Sequence, residues 1–275
     1  MTGEQGMSWA PGPVETVDVI AEGPVRALAG LLDIDPPAEA LPPLWHWLFH
    51  LDRYPQAALG PDGHPRDGHF LPPLPDRRRM FAGARFTAHA PIRIGDEVVK
   101  HSALTSVAEK EGRSGRLLFT TVRHRLLRGG ELLAVEEQDI VYRSGDAPAS
   151  AEPPIRPDGK GLRRTDERAF ALSADPALLF RFSALTYNAH RIHYDFAYAT
   201  EVEGHRGLVV HGPLLAVLMA ELGRTAQASP EALSFTLRRP VFAGTNATVE
   251  RTDDGAKVTN EAGETAAVMT FTSGV

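Results

Sequence analysis

Residues 214–222 carry apolar side chains around nearly the whole helical circumference, in Leu214, Leu215, Val217, Leu218, Met219, Ala220 and Leu222. A helix of that kind has to be enclosed by protein on every side. Pro213, within His211-Gly-Pro, suits the first turn of a helix, because its missing N–H would have had no intrahelical partner there. The helix is therefore expected to begin near His211 or Gly212, with its free backbone N–H groups facing the segment before it.

The enclosing material is β-structure. Residues 84–94, 97–108, 115–127 and 131–143 are β-branched and alternate in places, with turns at Ile94-Gly-Asp96, Glu111-Gly-Arg113 and Arg128-Gly-Gly130. They are expected to form a four-stranded antiparallel meander. Residues 233–241, 246–253, 256–260 and 265–272 give a second set of strands after the apolar helix, and residues 168–172 a further short one. Phe86-Thr-Ala-His-Ala-Pro-Ile-Arg-Ile-Gly-Asp96 is echoed by Phe235-Thr-Leu-Arg-Arg-Pro-Val-Phe-Ala-Gly-Thr245, with Phe-Thr, Pro and Gly at matching offsets. The chain thus reads as an α+β protein in which one helix-then-sheet unit occurs twice, an antiparallel sheet curling around a buried helix. The expected organisation is an N-terminal domain over 1–145, a linker rich in Ala and Pro over 146–161, and a C-terminal domain over 162–275.

Shorter elements fill in the rest. Residues 1–13 are rich in Gly and Pro and are expected to be frayed, 24–32 to form an amphipathic helix, and 43–51 (Pro-Leu-Trp-His-Trp-Leu-Phe-His-Leu) a short buried helix. Residues 57–75 are dense in Gly and Pro and read as a long irregular loop, which in a compact chain is functional or a connector. The triplet Arg77-Arg-Arg79 suits a substrate phosphate or a solvated charge cluster. Residues 175–183 should form a short helix.

The chemistry concentrates in Tyr187-Asn-Ala-His-Arg-Ile-His-Tyr-Asp195, which leads towards His211 and the apolar helix. Imidazole both takes and gives a proton near neutral pH, so His190, His193 and His211 are candidates for acid–base work. Composition narrows the alternatives: with 275 residues, 43% hydrophobic and 23% charged, the chain is globular, and a net charge of -6 argues against non-specific nucleic-acid binding. There is no cysteine, hence no disulfide, thiolate metal site or Cys nucleophile. No apolar run reaches the length of a membrane span and residues 1–10 lack the pattern of a secretory signal, so a cytoplasmic location and no membrane partner are expected. A metal site built on His190, His193 and His211 is the competing chemical reading; no known ligand spacing accompanies them, and neither metal nor cofactor is expected.

The string 187–195, with Val210-His-Gly-Pro213, resembles the MaoC-like hot-dog dehydratases and hydratases, and within them the double hot-dog branch that includes mesaconyl-C4-CoA hydratase and the type 2 3-hydroxyacyl-thioester dehydratases. Pro42-Pro-Leu-Trp-His-Trp, Asp62-Gly-His-Pro-Arg and Phe70-Leu-Pro-Pro extend the likeness into the N-terminal half. The resemblance implies a double hot-dog fold, no cofactor, an acyl-CoA thioester as substrate, and addition of water across the double bond of an enoyl thioester. The chain holds one copy of the His-rich string, in the C-terminal half, so one active site per chain is expected, with an acyl pocket shaped by the N-terminal half; a homo-oligomer, a dimer, is expected as well. The (R)-specific enoyl-CoA hydratases carry Asp-x-Asn-Pro-x-His; counted back from His193, Asn188 stands at the Asp position, His190 at the Asn position, and Arg191 replaces the proline. Asn188 cannot take up a proton, so the carboxylate of that scheme is missing here.

On this basis His193 is the expected base and Asn188 the residue that orients water or His193 through its amide. The Gly212 N–H is the expected oxyanion donor, with Tyr187, His190 and His211 in support. His211 also has a plainer role open to it, as a cap of the helix, and Asp195 reads as a structural acceptor. The favoured substrate is a short branched dicarboxylyl-CoA such as mesaconyl-C4-CoA or itaconyl-CoA, whose free carboxylate needs a cation, for which Arg191 is the nearest candidate. A 3-hydroxyacyl-thioester dehydratase of fatty-acid type, a hot-dog thioesterase and a non-catalytic acyl-CoA binding subunit are the alternatives.

Overall fold

The computed structural model describes residues 9–74, 77–112, 115–145, 150–224 and 230–272. The first eight residues of the expected frayed start, the tip of the turn at Glu111-Gly-Arg113 and the first part of the expected linker, 146–149, lie outside the described residues.

One antiparallel sheet of 11 strands runs through both halves. The N-terminal half contributes β1 (Val14–Val19), helix α1 (Glu22–Leu32), β2 (Arg77–Ala88), β3 (Glu97–Gly112), β4 (Gly115–Arg128) and β5 (Glu131–Ser144). The C-terminal half contributes β6 (Gly161–Asp166), β7 (Ala169–Ser173), α2 (Pro176–Thr186), α3 (Gly212–Gly223), β8 (Ala232–Leu237), β9 (Ala247–Arg251), β10 (Gly255–Thr259) and β11 (Thr265–Thr272). The strand order is β1-β3-β4-β5-β2-β8-β11-β10-β9-β7-β6. This corrects the expected four-stranded meander, because β2 pairs with β5 and β8 and not with β3. The expected strand over 84–94 stops at Ala88: His89 and Ala90 both donate to the Leu133 carbonyl, and the chain then crosses the end of the sheet to Gly95, which donates to Ile20. A proline at 91 has no N–H with which to continue a ladder.

The sequence echo is built into this architecture. Arg238 and Arg239 both donate to the Ala266 carbonyl, and Gly244 donates to Ala174, as their counterparts do in the first half. Phe86 and Phe235 are 149 residues apart, and the β2–β8 register obeys the same shift: Ala84 faces Phe235, and Leu233 faces Phe86. The pseudo-twofold axis therefore passes through the Arg85–Ser234 pair. At this junction Gly83 allows a close approach, since a Cβ there would stand 2.2 Å from the Phe235 carbonyl oxygen.

Helix α3 is the buried helix the sequence requires. Every residue from Leu214 to Leu222 is buried, including Glu221, whose carboxylate accepts from Trp45 Nε1 at 2.9 Å and pairs with Arg224. Each large apolar side chain so enclosed contributes about 2 kcal/mol. The two units are unequal, however. Among the described residues the N-terminal half has no helix matching α3. Its sheet is covered instead by the segment around the 3₁₀ turn Trp45–Leu48, which His46 Nε2 (2.8 Å) and Trp47 Nε1 (2.8 Å) anchor to the buried carboxylate of Glu136 on β5. Leu71 and Leu74, from the irregular loop that follows, pack on Leu118, Ile140 and Tyr142.

Candidate active site

The His-rich string is held between α2 and α3. Helix α2 starts at Asp175, whose carboxylate accepts from Leu178 N at 2.7 Å, and it ends at Tyr187 in a left-handed conformation. Tyr187, expected in a supporting role, is 59% exposed and serves as this helix end. Asn188 Oδ1 accepts from His190 N at 3.0 Å, an Asx turn that redirects the chain, and residues Arg191–His193 close a single 3₁₀ turn. The amide of Asn188 thus shapes the loop that presents His190 and His193.

His193 is buried and its Nδ1 lies 2.7 Å from the Val209 carbonyl oxygen. A carbonyl only accepts, so Nδ1 carries the proton and Nε2 keeps its lone pair, which is the tautomer a general base needs. Burial pulls its pKa down to about 4, only partly offset by the Val209 hydrogen bond, so the ring is neutral at neutral pH. His193 stacks on His211 with ring centroids 3.6 Å apart at 19°. His211 is fully buried at the N-cap of α3; its Nε2 shares a 2.8 Å hydrogen bond with Ser183 Oγ and its Nδ1 has no partner. Burial, and then the neighbouring imidazoles, hold His211 and His190 well below the ordinary histidine range. Gly212 opens α3, so its N–H has no intrahelical acceptor and is available to an oxyanion beside these rings.

Arg191 is already engaged. Its guanidinium donates to Asp195 at 2.7 and 3.0 Å and to the Pro61 carbonyl at 2.8 Å, and it lies over the Tyr198 ring at 4.0 Å. A substrate carboxylate would have to displace Asp195 to reach it. Asp195 also caps the next turn by accepting from Tyr198 N at 3.0 Å, the structural role expected of it. In the arginine triplet, Arg77 donates to the Pro65 and Arg66 carbonyls and Arg78 pairs with Glu203 at 3.4 Å. Arg79 is exposed, lies against the Tyr142 hydroxyl and acts on His190.

The pattern of the hydroxyacyl-thioester dehydratase type 2 proteins matches residues 44–243, a span from the Trp45 turn through the whole His-rich loop and α3. The chain belongs to that family. It is 44% identical over 251 residues to the mesaconyl-C(4)-CoA hydratase of Chloroflexus aurantiacus, covering 88% of this chain and 87% of the relative. The mitochondrial hydroxyacyl-thioester dehydratase type 2 of Schizosaccharomyces pombe is 23% identical over 262 residues, covering 82% and 85%. The solved structure of HtdX from Mycobacterium tuberculosis superposes with a TM-score of 0.64 at 16% identity, over 94% of this chain and 98% of that one. A second M. tuberculosis protein, described as having a double hotdog fold, gives 0.58 at 13% identity over 96% and 95%. The chain is therefore a double hot-dog hydro-lyase of the acyl-CoA hydratase and dehydratase type.

Beside this loop the structure places a pair that sequence reasoning did not single out. The turn 60–66 of the N-terminal half carries Asp62 and His64, joined by a 2.9 Å contact between Asp62 Oδ2 and His64 Nδ1, and the His64 ring is 4.1 Å from His190. Asp62, His64 and His190 each bring one donor atom within 4.8 Å of the others. The available signal was Asp62-Gly-His-Pro-Arg itself, a polar motif in a long irregular loop.

Proposed function

We propose that the protein reversibly hydrates a short branched dicarboxylyl-CoA of the mesaconyl-C4-CoA or itaconyl-CoA kind, with His193 as the base. The observation that carries the base is the Nδ1–Val209 hydrogen bond, which leaves Nε2 as a buried, unprotonated acceptor. In hydration, Nε2 removes a proton from water as its oxygen bonds to Cβ, electron density moves onto the thioester oxygen at the Gly212 N–H, and Cα is then protonated. Asn188 acts by holding the loop and His211 by stacking behind His193.

The relative named mesaconyl-C(4)-CoA hydratase supports the dicarboxylyl acyl group. So does Arg79, an exposed cation close to His190 that has no carboxylate partner among the described residues. With Arg191 tied to Asp195, Arg79 is the better-placed partner for the distal carboxylate. The reaction is expected to run inside the cell, on a homodimer. The test is kcat/KM for mesaconyl-C4-CoA, itaconyl-CoA and crotonyl-CoA with wild type, Arg79→Ala and Arg191→Ala. A preference of about tenfold or more for a dicarboxylyl substrate, lost in Arg79→Ala, is expected for a close charge–carboxylate contact. Preference for crotonyl-CoA or longer monocarboxylyl chains would instead assign a fatty-acid type 3-hydroxyacyl-thioester dehydratase.

A further inference from the structure

Hydration needs a proton for Cα as well as a base for water, and the His-rich loop offers no free carboxylate for the task, because Asn188 stands where related hydratases carry Asp and Asp195 is tied to Arg191. The other half of the molecule delivers one. The turn 60–66 is docked onto the loop by two hydrogen bonds, from Arg191 N to the Asp62 carbonyl at 2.9 Å and from Arg191 Nη1 to the Pro61 carbonyl at 2.8 Å. Gly63 makes the docking possible: it has φ 88°, and a Cβ there would lie 1.8 Å from the Ala189 carbonyl oxygen. Asp62 Oδ1 also accepts from His64 N at 3.0 Å, so the carboxylate fixes both the backbone and the ring of His64. Burial would raise the Asp62 carboxyl, but the hydrogen bond and charge of His64 outweigh it and hold it below the ordinary range.

We propose that His64, held by Asp62, is the second proton-transfer residue of the active site, so that the catalytic apparatus is shared between the two halves of the chain. This rests on the assignment of His193 as base. In the hydration direction the O–H bond of water breaks and its proton goes to His193 Nε2, while the oxygen forms the C–O bond at Cβ. The π pair moves to Cα and the thioester oxygen, and Cα takes a proton from the His64 imidazolium. The proton held on His193 then returns to His64, and His190 stands between them, with ring centroids 4.1 Å from His64 and 5.6 Å from His193. No oxidant, reductant or further reactant is needed. The side chains of His64 and Asp62 are 19% and 24% exposed, which leaves them open to a bound acyl group where His193 is almost enclosed. The charged and titratable groups facing this cluster are Asp62 in its own turn, His190, His193, Tyr194 and Tyr198 on and after the loop, His205 beyond them and Arg79 from β2.

The test compares pH profiles of kcat for hydration in wild type, His193→Ala, His64→Asn and Asp62→Asn, and adds free imidazole to His64→Ala. His64→Asn is expected to lower kcat about 100-fold, the size of effect usual for one acid–base group, and to remove the alkaline fall of the profile. Asp62→Asn should also lower kcat, by less than His64→Asn, and imidazole should restore activity to His64→Ala. A His64→Asn enzyme with near wild-type kcat beside an inactive His193→Ala enzyme would overturn the proposal and leave the His193 base standing. A loss in His64→Ala that imidazole does not rescue, with the profile unchanged in shape, would reduce the turn to packing and overturn it equally. So would stoichiometric zinc in the purified protein whose removal abolishes activity, since Asp62, His64 and His190 would then be metal ligands. An active His193→Ala enzyme would remove the base and this proposal with it.

Discussion

The proposed base, His193, is neutral at neutral pH because burial has already taken away the proton that would otherwise occupy Nε2. With its pKa near 4, kcat/KM for hydration is expected to fall as pH drops through about 4, where the ring takes up the proton and the proposed base is lost. A pH–rate profile followed in the hydration direction checks this. Behind it, His211 depends on one hydroxyl: Ser183→Ala would leave both nitrogens of a fully buried imidazole without partners, a cost of about 1–3 kcal/mol measurable by denaturant unfolding. The residue types of the loop were legible in sequence, since His190, His193, Asn188 and Asp195 all belong to it. Their partners were not. Val209, Ser183 and the Asp62–His64 turn are brought in by tertiary contacts across 16, 28 and more than a hundred residues, and no local spacing encodes such pairings.

At the scale of elements, the apolar circumference of α3, the proline in its first turn and the Asp175-Pro start of α2 each announce a helix, and each is found. Asp175→Ala should cost about 1 kcal/mol through loss of the cap to Leu178 N, read as a shift in the unfolding midpoint. Strand locations were legible from alternation, whereas strand partners were not: β2 looked like the first strand of a meander because alternation says nothing about which neighbour a strand chooses. What set its place was the crossing at residues 89–96, a segment whose apolar Ile92 and Ile94 read like strand. β1 and β6 are mostly exposed and carried too few buried positions to announce themselves.

Over the whole molecule, the echo between Phe86 and Phe235 signalled one unit occurring twice, and the structure puts its pseudo-twofold axis at β2–β8. It did not encode the inequality of the halves. The N-terminal sheet buries Glu136 with His46 and Trp47 where the C-terminal sheet buries α3. Burial pushes the Glu136 carboxyl up, but the charge of His46 and its hydrogen bond prevail and bring it to about 2, while burial lowers His50 and His124 to about 4. The two histidines are neutral in the folded state and would titrate at 6.5 when unfolded, so the unfolded chain binds more protons between pH 6.5 and 4 and stability falls across that window. Glu136 contributes stability above its unfolded value of 4.5 that disappears as pH falls towards 2. Thermal unfolding from pH 8 to 3 should therefore show a melting temperature that declines in two overlapping steps.

The most direct test of the account mixes the purified protein with mesaconyl-C4-CoA and follows the ultraviolet absorbance of the conjugated thioester together with free thiol, for wild type and His193→Ala of unchanged melting temperature. Loss of absorbance without thiol release in the wild type, slowed about 1000-fold in the variant, is the predicted result. Release of thiol, or a variant as fast as the wild type, would contradict it.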